Sequence, residues 1–563
     1  MEQISFPNDP FFNKLLDAAK TSEKTVIRDN NSGIQAKFPR LLSDVSDLRT
    51  RLTEGLPAAL IDENGLINED NVYISVYAIS GYHFIVALLA VSSLGGVFLP
   101  LPIHESPESC INLIKVSNSH LMLVEPNYEN DAALLQESVK NTCDRAIKQL
   151  MIWREGISPG HTSYSVHKTA ILPASRNAVV LFSSGTQGTP KAIVHTRALL
   201  YELAARDYVN RDDTYISFSE LRHFAPLLSV FMMLLAGSSM EILDCGPRPD
   251  KLWERLRRGD VTIFTAGSVV WTEMMRFYQQ HLAILPDDTS QQYIRGIRNV
   301  RFAGCGGGVI PPFVKQFWLD TLSVPMMNSY GSTELGMTSF ATIISNQESC
   351  QVSWVLFVCI STGANIEDLS KQKAIIGQKI PPYISIKLSE GDHGEVLMKG
   401  PAMFSCYLAN EVATRNAFDE DGYFKTGDIA HMEETRYIFD GRASTEFIRS
   451  SENIVRIQDV ESSLLELPNI SEAAVVKCPD AEAGSQVAAI IRLLDSKNKY
   501  TLQQLRQDLS SSLSRYQLPT QLRILGPTEN IPRSSTGKLK IQEALKMYFP
   551  LPGADQRVEN RVP

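Results

Sequence analysis

An apolar segment that leads directly into a loop of small residues, between residues 179 and 195, constrains the fold of this chain more than any other stretch. Residues 179–182 are typical of a buried strand, and the loop that follows is rich in Ser, Thr and Gly and ends at Lys191. Glycines let backbone N–H groups approach a ligand, hydroxyls donate hydrogen bonds and a lysine supplies a mobile positive charge. The loop therefore suits a polyphosphate. Its spacing differs from that of a Walker A loop, and a solvated turn is the alternative interpretation.

The alternation of short apolar runs with amphipathic stretches predicts an α/β fold. Runs at 178–182, 261–264 and 300–303 have the length of strands, and amphipathic segments separate them. The chain has 563 residues, of which 44% are hydrophobic, so it exceeds one ordinary core.

The chain changes character after residue 442. Helix patterns at 457–467 and 501–516 enclose strand patterns at 473–478 and 487–494, and Thr501 is placed to cap the second helix. This part predicts a small α+β domain that ends near residue 550. The polar tail, residues 551–563, is expected to be disordered.

Composition argues against several classes of protein. A net charge of −9 argues against nucleic-acid binding, because proteins of that class carry a basic face. The eight cysteines lack the paired spacing of zinc sites, and scattered thiols without a leader segment predict a reducing, cytoplasmic setting. Residues 84–103 are apolar, but small and turn-forming residues interrupt them. We expect a buried helix there, followed by a strand at 96–101, and no membrane segment.

Three later segments accompany the 183–191 loop in a fixed order. Residues 328–334 read Asn-Ser-Tyr-Gly-Ser-Thr-Glu, residues 422–428 read Gly-Tyr-Phe-Lys-Thr-Gly-Asp, and residues 532–538 read Pro-Arg-Ser-Ser-Thr-Gly-Lys. Together they resemble the signature of the adenylate-forming (AMP-binding) superfamily, which includes the acyl-CoA synthetases. The resemblance covers nearly the whole chain, and its local match is most similar to malonyl-CoA-synthetase-like members.

The resemblance implies an architecture and a reaction. A large N-terminal AMP-binding domain of stacked β-sheets flanked by helices would span residues 1–440. A smaller, mobile α+β lid domain would span residues 441–550, with the site in the cleft between the two. The implied enzyme is an acid–thiol ligase that uses ATP and Mg2+ to convert a small-molecule carboxylic acid into an acyl-adenylate. It would then transfer the acyl group to CoA, its co-substrate, and release AMP and pyrophosphate.

The resemblance also assigns the residues of the site. Lys191, Glu334 and Lys538 would be catalytic, with Lys538 delivered by the lid to the carboxylate and the α-phosphate. Glu334 and Thr186 would hold Mg2+, an ion that binds through one or two carboxylates beside a polyphosphate. The residues implied in ATP binding are Ser183, Ser184, Gly185, Thr186, Gly188, Lys191, Gly306, Gly307, Tyr330, Gly331, Ser332, Thr333, Asp428, Arg442 and Lys538.

Separate parts of this set would hold the adenosine. The glycine-rich run at 304–308 allows a flat base to approach the backbone, and the resemblance places the ring of Tyr330 on the other face of the adenine. Asp428 would accept hydrogen bonds from the ribose hydroxyls, with Arg442 beside it at the start of the hinge. An Asp at a turn is otherwise a cap or a turn former.

The acyl pocket is the least specified part of the sequence. By resemblance, a histidine near the acyl group lies in the segment that corresponds to 219–226, so His223 is the candidate; a buried structural histidine is the alternative. Arg222 could meet a second carboxylate through a bidentate fork. We therefore expect a small di- or polycarboxylic acid as the substrate.

Two segments depart from the family pattern. Residues 446–453 keep both charges of the related hinge segment but lack the double glycine that lines the pantetheine tunnel there. Residues 340–376 form a longer interval than usual and contain an apolar run at 352–359. We interpret that run as a buried strand of an insertion, and an artefact of gene-model translation is the alternative.

Two other functions stay open on the sequence alone. The chain could adenylate an acid and pass it to an amine, an alcohol or a carrier protein, which the altered 450–453 loop favours. It could instead be a non-catalytic nucleotide-binding protein, against which the retained Lys191, Glu334, Asp428 and Lys538 argue. No feature of the sequence specifies an oligomeric state.

Overall fold

The structure is a computed structural model. It describes residues 3–103, 105–143, 145–153, 163–183, 190–207, 209–243, 246–308, 310–338, 340–344, 360–364, 374–377, 383–433, 436–442, 447–450, 453–480, 484–495, 500–534, 537–550 and 558–560.

The helices within these ranges are, in chain order, α1 (Pro10–Thr21), α2 (Phe38–Gly55), α3 (Tyr82–Leu94), α4 (Pro107–Val116), α5 (Glu129–Cys143), α6 (Arg197–Ala204), α7 (Phe224–Ala236), α8 (Pro249–Leu256), α9 (Ser268–Phe277), α10 (Asp287–Arg298), α11 (Pro312–Gln316), α12 (Glu411–Asn416), α13 (Ile457–Glu466), α14 (Leu502–Leu509) and α15 (Ile541–Tyr548). Short 3-10 turns lie at Ala58–Leu60 and Pro126–Tyr128, and single π turns follow α9 and α11.

The strands are β1 (Gln3–Phe6), β2 (Ile27–Asp29), β3 (Ile34–Ala36), β4 (Tyr73–Tyr77), β5 (Val97–Pro100), β6 (Leu121–Val124), β7 (Lys148–Met151), β8 (Ser163–Val166), β9 (Asn177–Phe182), β10 (Ala192–Thr196), β11 (Thr214–Ser217), β12 (Ser239–Ile242), β13 (Ile263–Ala266), β14 (Phe302–Gly306), β15 (Met326–Tyr330), β16 (Phe340–Ile344), β17 (Ile360–Ala364), β18 (Ala374–Gly377), β19 (Ser385–Leu388), β20 (His393–Lys399), β21 (Cys406–Tyr407), β22 (Phe424–Glu433), β23 (Arg436–Arg442), β24 (Phe447–Ser450), β25 (Asn453–Arg456), β26 (Ile470–Asp480), β27 (Gly484–Leu493), β28 (Gln521–Ile524) and β29 (Val558–Asn560).

Four sheets lie in the described part of the chain before residue 442, and the smallest is the parallel pair of β1 and β8. A seven-stranded sheet has the order β21-β10-β9-β5-β4-β6-β7, and a nine-stranded sheet has the order β17-β16-β15-β14-β13-β11-β12-β2-β3. A five-stranded sheet, β18-β23-β22-β20-β19, completes this part. The α/β class with stacked sheets that the sequence predicted is confirmed.

The central helix α3 shows how the two large sheets share one core. All thirteen of its residues are buried, and Gly95 ends it in the left-handed conformation, with φ 77°. The next strand, β5, is buried at every position. The apolar stretch at 84–103 is therefore a core helix followed by a strand, as predicted. Across the described ranges, no helix is both long enough and apolar enough to span a bilayer.

The last part of the chain folds around its own apolar residues. Strands β26 and β27 pair antiparallel, β28 and β29 extend that sheet, and α13 and α14 pack on it. The side chain of Thr501 accepts a hydrogen bond from Gln504 N, and that of Gln504 from Thr501 N, so Thr501 caps α14 as predicted.

Several predicted boundaries need correction. Helix α14 ends at Leu509 rather than near residue 516, because serines follow and Ser510 turns its hydroxyl back to Gln507 O at 2.6 Å. Strand β14 begins at Phe302 rather than at residue 300, because Val300 N still donates to Ile297 O at the end of α10. Gly304 and Gly306 consequently belong to the strand itself and do not follow it.

Two further predictions fall largely outside the described residues. The apolar run at 352–359 is one of them. The tail expected to be disordered is the other: residues 551–557 and 561–563 are not described, whereas Val558–Asn560 pair with β28.

A buried ion pair joins three helices of the large unit. Arg197, at the start of α6, donates to Asp9 Oδ2 and, at 2.9 Å, to Ser92 O in α3. The other Asp9 oxygen accepts from Phe12 N at 2.9 Å and so caps α1. Both side chains are at most 1% exposed, so either charge would be costly without the other.

We predict that Arg197→Met lowers the free energy of unfolding by about 3 to 5 kcal/mol, because it leaves the Asp9 carboxylate buried without its cation. Arg248→Met is the matched control. Its ion pair with Asp250 is half exposed, and its removal should cost less than about 0.5 kcal/mol. Denaturant unfolding of the three proteins measures both values, and equal stability of the two variants would contradict a structural role for this pair.

Candidate active site

Two neighbouring parallel strands bring the glycine run and the 328–334 segment to the same edge of the nine-stranded sheet. Strands β14 and β15 pair with Gly306 beside Ser329, so their carboxyl ends, where Gly307 and Tyr330 lie, point the same way. Ligand sites in open α/β sheets lie at such carboxyl ends. Gly307 has a φ of +74°, a conformation that favours glycine, and therefore turns the backbone sharply out of the strand.

A carboxylate and a guanidinium from the five-stranded sheet complete this edge. Asp428 of β22 and Arg442 of β23 are cross-strand partners, with 3.3 Å between Arg442 Nε and Asp428 Oδ1. Tyr330 Oη donates to Asp428 Oδ2 at 2.7 Å. Burial raises the pKa of Asp428, and Arg442, the Tyr330 hydroxyl and Lys538 oppose that rise. Asp428 is thus a largely buried acceptor surrounded by hydrogen-bond donors and cations.

Lys538 arrives at the same place from the last part of the chain. A Cβ added to Gly307 would lie 3.4 Å from Lys538 Cε, so the lysine stem runs along this glycine. The turn that carries it is held by Ser534, whose N donates to Lys538 O at 2.8 Å and whose Oγ accepts from Lys538 N at 3.2 Å. Two separate units of the chain therefore meet at Gly307.

The ends of the 183–191 loop are fastened to each other. Ser183 N donates to Lys191 O at 3.1 Å, and Lys191 N donates to Ser183 Oγ at 2.9 Å. These bonds continue the β9–β10 hairpin by one pair and hold the base of the loop. The predicted binding residues Ser184, Gly185, Thr186 and Gly188 lie outside the described residues.

Tyr407 connects Lys191 to Glu334. Its strand, β21, pairs with β10, which begins one residue after Lys191. The Lys191 ammonium lies 4.6 Å from the centre of the Tyr407 ring, and Tyr407 Oη donates to Glu334 Oε1 at 3.0 Å. Burial and then the Glu334 carboxylate raise the pKa of Tyr407 far above its usual value. The phenol therefore stays protonated and keeps its hydrogen bond to Glu334.

His195 fixes the backbone next to Glu334. Its Nε2 lies 2.9 Å from Thr333 O, which requires the Nε2–H tautomer for a hydrogen bond. The ring is fully buried, and burial lowers the pKa of His195 to about 4. His195 is thus a neutral donor that joins β10 to the 328–334 segment.

The predicted acyl-site residues lie at the end of β9. Phe182 N donates to Arg222 O at 3.2 Å, and His223 Nδ1 lies 3.1 Å from Phe182 O, so this segment adjoins the phosphate loop. Arg222 is already paired, with Glu220 at 2.5 Å and with Glu105 at 2.9 Å. Burial is the main cause that lowers the pKa of His223.

Most of the described site residues form two connected groups. Lys538, Gly307, Tyr330, Asp428 and Arg442 make the first, and Ser183, Lys191, Tyr407, Glu334 and Thr333 make the second. The short segment 330–334 belongs to both. Gly331 is exposed within it, and Ser332 Oγ is buried without a hydrogen-bond partner in the described part of the chain. Arg222 and His223 lie beside the second group.

Sequence reasoning missed Tyr407 and His195. Both act across a large sequence separation. Tyr407 lies 73 residues from Glu334 and reaches it because β21 pairs with β10, and His195 lies 138 residues from Thr333, whose carbonyl its side chain bonds. No local pattern marks them. The only available signal was the position of His195 in the strand that leaves the phosphate loop.

We predict that His195 lowers the free energy of unfolding as the pH falls from about 6.5 to about 4. In this range the histidine of the unfolded chain takes up a proton, whereas the buried ring of the folded protein stays neutral. His195→Gln keeps an Nε2 donor and removes this proton uptake. From neutral pH to about pH 4.5, the free energy of unfolding of His195→Gln should therefore fall by roughly 2 to 3 kcal/mol less than that of the unchanged chain. His120→Gln, at an exposed position, is the control. A pH dependence in His195→Gln identical to that of the control would contradict the buried neutral ring.

Comparison with known proteins finds matches along most of this chain. Residues 51–408 match the family described as AMP-binding enzyme, and residues 459–538 match its C-terminal domain. The acyl-CoA ligase oryP of Aspergillus oryzae is 31% identical over 552 residues, which cover 97% of this chain and 93% of that protein. The mitochondrial malonate–CoA ligase ACSF3 of Xenopus laevis is 26% identical over 489 residues, covering 83% and 81%.

Solved structures show the same fold. ATP-bound MatB from Rhodopseudomonas palustris has a TM-score of 0.72 at 19% identity and covers 96% of this chain and 98% of its own. The o-succinylbenzoate CoA synthetase MenE of Bacillus subtilis, in complex with its acyl-adenylate intermediate, has a TM-score of 0.70 at 18% identity, covering 98% and 99%. On the family match and the 31% identical relative, the chain belongs to the AMP-binding enzyme family.

Proposed function

We propose that this chain is an AMP-forming acyl-CoA ligase. A carboxylate oxygen attacks the α-phosphorus of ATP, pyrophosphate leaves, and an acyl-adenylate forms. The CoA thiol then attacks the acyl carbon, the bond between that carbon and the bridging oxygen breaks, and AMP leaves with that oxygen. The observation that supports the proposal most is the arrival of Lys538 at Gly307, beside Asp428, from a separate unit of the chain.

The cations of the site reduce the electrostatic repulsion between the two reactants of the first step. Both reactants are anions, so positive groups must offset their repulsion and the charge that develops on the α-phosphate. Lys538 serves the α-phosphate and the attacking carboxylate. Lys191, at the base of the small-residue loop, serves the leaving pyrophosphate. Tyr407 holds the Lys191 ammonium over its ring, which limits the motion of this charge before the nucleotide binds.

Glu334 suits a magnesium ion carried with the nucleotide. One of its oxygens accepts from Tyr407, and in the described part of the chain the other has no protein hydrogen bond. Mg2+ typically takes one or two carboxylates together with substrate phosphates and water, so a single free carboxylate oxygen fits better than a closed protein cage would. We assign Glu334 as the ligand, with Thr186 of the loop as the second. The ion would offset charge on the transferred and leaving phosphates.

The first group of residues suits the adenosine. The glycine backbone at the end of β14 would face the adenine, and Tyr330, at the end of the neighbouring strand β15, would contact it as well. Asp428, a largely buried acceptor, would take hydrogen bonds from the ribose hydroxyls. The unpartnered Ser332 Oγ would pair with the nucleotide. Arg442 would stay beside the ribose, at the junction where we place the hinge between units 1–440 and 441–550.

The acid is proposed to be a small di- or polycarboxylic acid, and the relatives named malonate–CoA ligases support that class. The structure adds a constraint on how such an acid would bind. Arg222 is shared between Glu105 and Glu220, so these three side chains carry one net negative charge. A second substrate carboxylate would therefore have to displace one of those carboxylates from Arg222, or bind another group. His223, beside the loop, would face the acyl group.

A second candidate function is transfer of the acyl group to an acceptor other than CoA. The supporting observation is the β24–β25 hairpin, whose paired residues Ser450 and Asn453 enclose a tip without glycine. A narrow thiol channel would need backbone freedom there. The tip residues, Ser451 and Glu452, lie outside the described part of the chain.

The cellular setting is also part of the proposal. We propose a cytoplasmic location, which the free thiols of the described cysteines, Cys110, Cys143, Cys305, Cys406 and Cys478, support. Microscopy of the tagged full-length chain tests it, and mitochondrial fluorescence would contradict it.

We predict that Lys538→Ala lowers the rate of acyl-adenylate formation by roughly 100-fold or more, because one preorganised cation is lost at the developing charge. ATP affinity should change by less than about threefold, since the adenosine contacts remain. Lys540→Ala, two residues away and half exposed, is the control and should keep the full rate. An unchanged adenylation rate in Lys538→Ala would contradict the assignment.

Pyrophosphate release with ATP and Mg2+ across a panel of acids, with and without CoA, tests the proposed function itself. The panel should include malonate, larger polycarboxylates, aryl acids and fatty acids. We expect turnover that requires both CoA and a small polycarboxylic acid. Release that CoA does not accelerate would support the second candidate function, and ATP binding without any release would overturn both.

A further inference from the structure

A cleft of about 450 Å³ separates helix α9 from the C-terminal unit next to Lys538. One wall is α9, whose Glu273 and Arg276 point into the cleft, and the opposite wall holds Glu472 and Arg533. The reaction proposed above uses none of these four charges. They lie between the two units whose meeting brings Lys538 to Gly307.

The charges on the two walls are complementary. Glu273 lies near Arg533, whose charge opposes the rise in the pKa of Glu273 that burial causes, while Glu472 adds to that rise and Arg276 opposes it. Arg276 faces Glu472 in the same way, because burial lowers the pKa of this arginine and Glu472 opposes that change. Each wall thus carries one carboxylate and one guanidinium, and the carboxylate of each wall lies near the guanidinium of the other. Such complementarity fixes the register of two surfaces more than it adds affinity.

Direct contacts accompany this pattern. Arg276 Nη2 donates to Ile470 O, across the two units, at 3.4 Å. Within the C-terminal unit, Arg533 Nε lies 3.6 Å from Glu472 Oε1, and Arg533 Nη1 donates to Gly537 O at 3.2 Å. Arg533 therefore connects the charged wall to the turn that carries Lys538. The same turn touches α9, since a Cβ added to Gly537 would lie 3.8 Å from Val269 Cβ.

We propose that Glu273 and Arg276 are positioning residues that dock the C-terminal unit on α9 in the one orientation that brings Lys538 to Gly307. They act through Glu472 and Arg533 and touch no reacting atom. The proposal rests on the adenylation chemistry proposed above for its catalytic consequence, but the docking itself is independent of that chemistry.

The first test reverses one charge of the docking face. Glu273→Arg places a cation against Arg533 and should lower the rate of pyrophosphate release at least tenfold. The consumption of chemically prepared acyl-adenylate by CoA should stay within twofold, because that step does not need Lys538 at the α-phosphate. Glu137→Arg, the same change at an exposed position of α5, should leave both rates unchanged. Glu273→Asp, which keeps the charge, should recover most of the lost rate.

Equal loss of both half-reactions in Glu273→Arg, or no loss in either, would overturn the proposal. A loss of pyrophosphate release accompanied by a lower melting temperature, with Glu137→Arg unaffected, would also overturn it, because Glu273 would then act only on folding.

The second test measures docking without activity. Val269→Cys combined with Gly537→Cys places two Cβ atoms at the 3.8 Å separation seen here, close to the roughly 3.8 Å typical of disulfides. We expect a cross-link that each single cysteine variant lacks, and a yield at least fivefold lower when Glu273→Arg is added. An undiminished yield would contradict the docking role. A cross-link in the double variant, together with no pyrophosphate release by the chain without these substitutions, would instead contradict the proposed function and leave the docking face intact.

Discussion

The parallel pairing of β14 with β15 is the constraint on which the rest of the site depends. It sets a strand with glycine at positions 304 and 306 beside the strand that leads into residues 330–334. The glycine at 304 is required by packing, since a Cβ there would lie 2.8 Å from Phe302 and 2.9 Å from Thr265. Because β15 ends at the same edge, the segment that follows it becomes the centre to which other elements attach.

Each attachment to that segment uses a different kind of interaction. Tyr330 bonds a carboxylate of the five-stranded sheet, Thr333 accepts from a buried neutral histidine, and Glu334 accepts from a phenol. The two donors from outside the segment, His195 of β10 and Tyr407 of β21, are buried, so the segment is positioned by the sheets around it. A site made this way keeps its geometry without a ligand, which reduces reorganisation when charge develops.

Charge in the site is distributed to suit anionic reactants, although the chain as a whole carries a net charge of −9. Lys191, Lys538 and Arg442 converge on the two residue groups, where Asp428 and Glu334 are the opposing carboxylates. Asp428 is bonded by Tyr330 and paired with Arg442, and Glu334 keeps one oxygen for a cation. The local excess of positive charge therefore stays available to a polyphosphate and a carboxylate.

The sequence predicted those features of the fold and the site that depend on consecutive residues. It did not predict those that depend on contacts between residues far apart in the chain. The buried helix within residues 84–103, the cap at Thr501 and the α/β class followed from local pattern, and the motif order led to the family. Helix α14 ends earlier than its apolar pattern predicted, because Ser510 bonds back to the last turn. Strand β14 begins later than predicted, because the turn that ends α10 extends to Val300. Tyr407 and His195 could not be predicted, because the pairing of β21 with β10 and a side-chain hydrogen bond between two sheets bring them to the site. Arg222 stays the predicted partner of a substrate carboxylate, and only the fold shows that two of the chain's own carboxylates pair with it.

Transfer of oxygen from the acid to AMP is the most direct measurement of the central claim that this chain activates its acid as an acyl-adenylate. The enzyme would be supplied with ATP, Mg2+, CoA and a carboxylic acid labelled with 18O in its carboxylate, and the products examined by mass spectrometry. The account predicts one labelled oxygen in each AMP and none in pyrophosphate. Thioester formation with unlabelled AMP, or with label in a phosphate product, would contradict it.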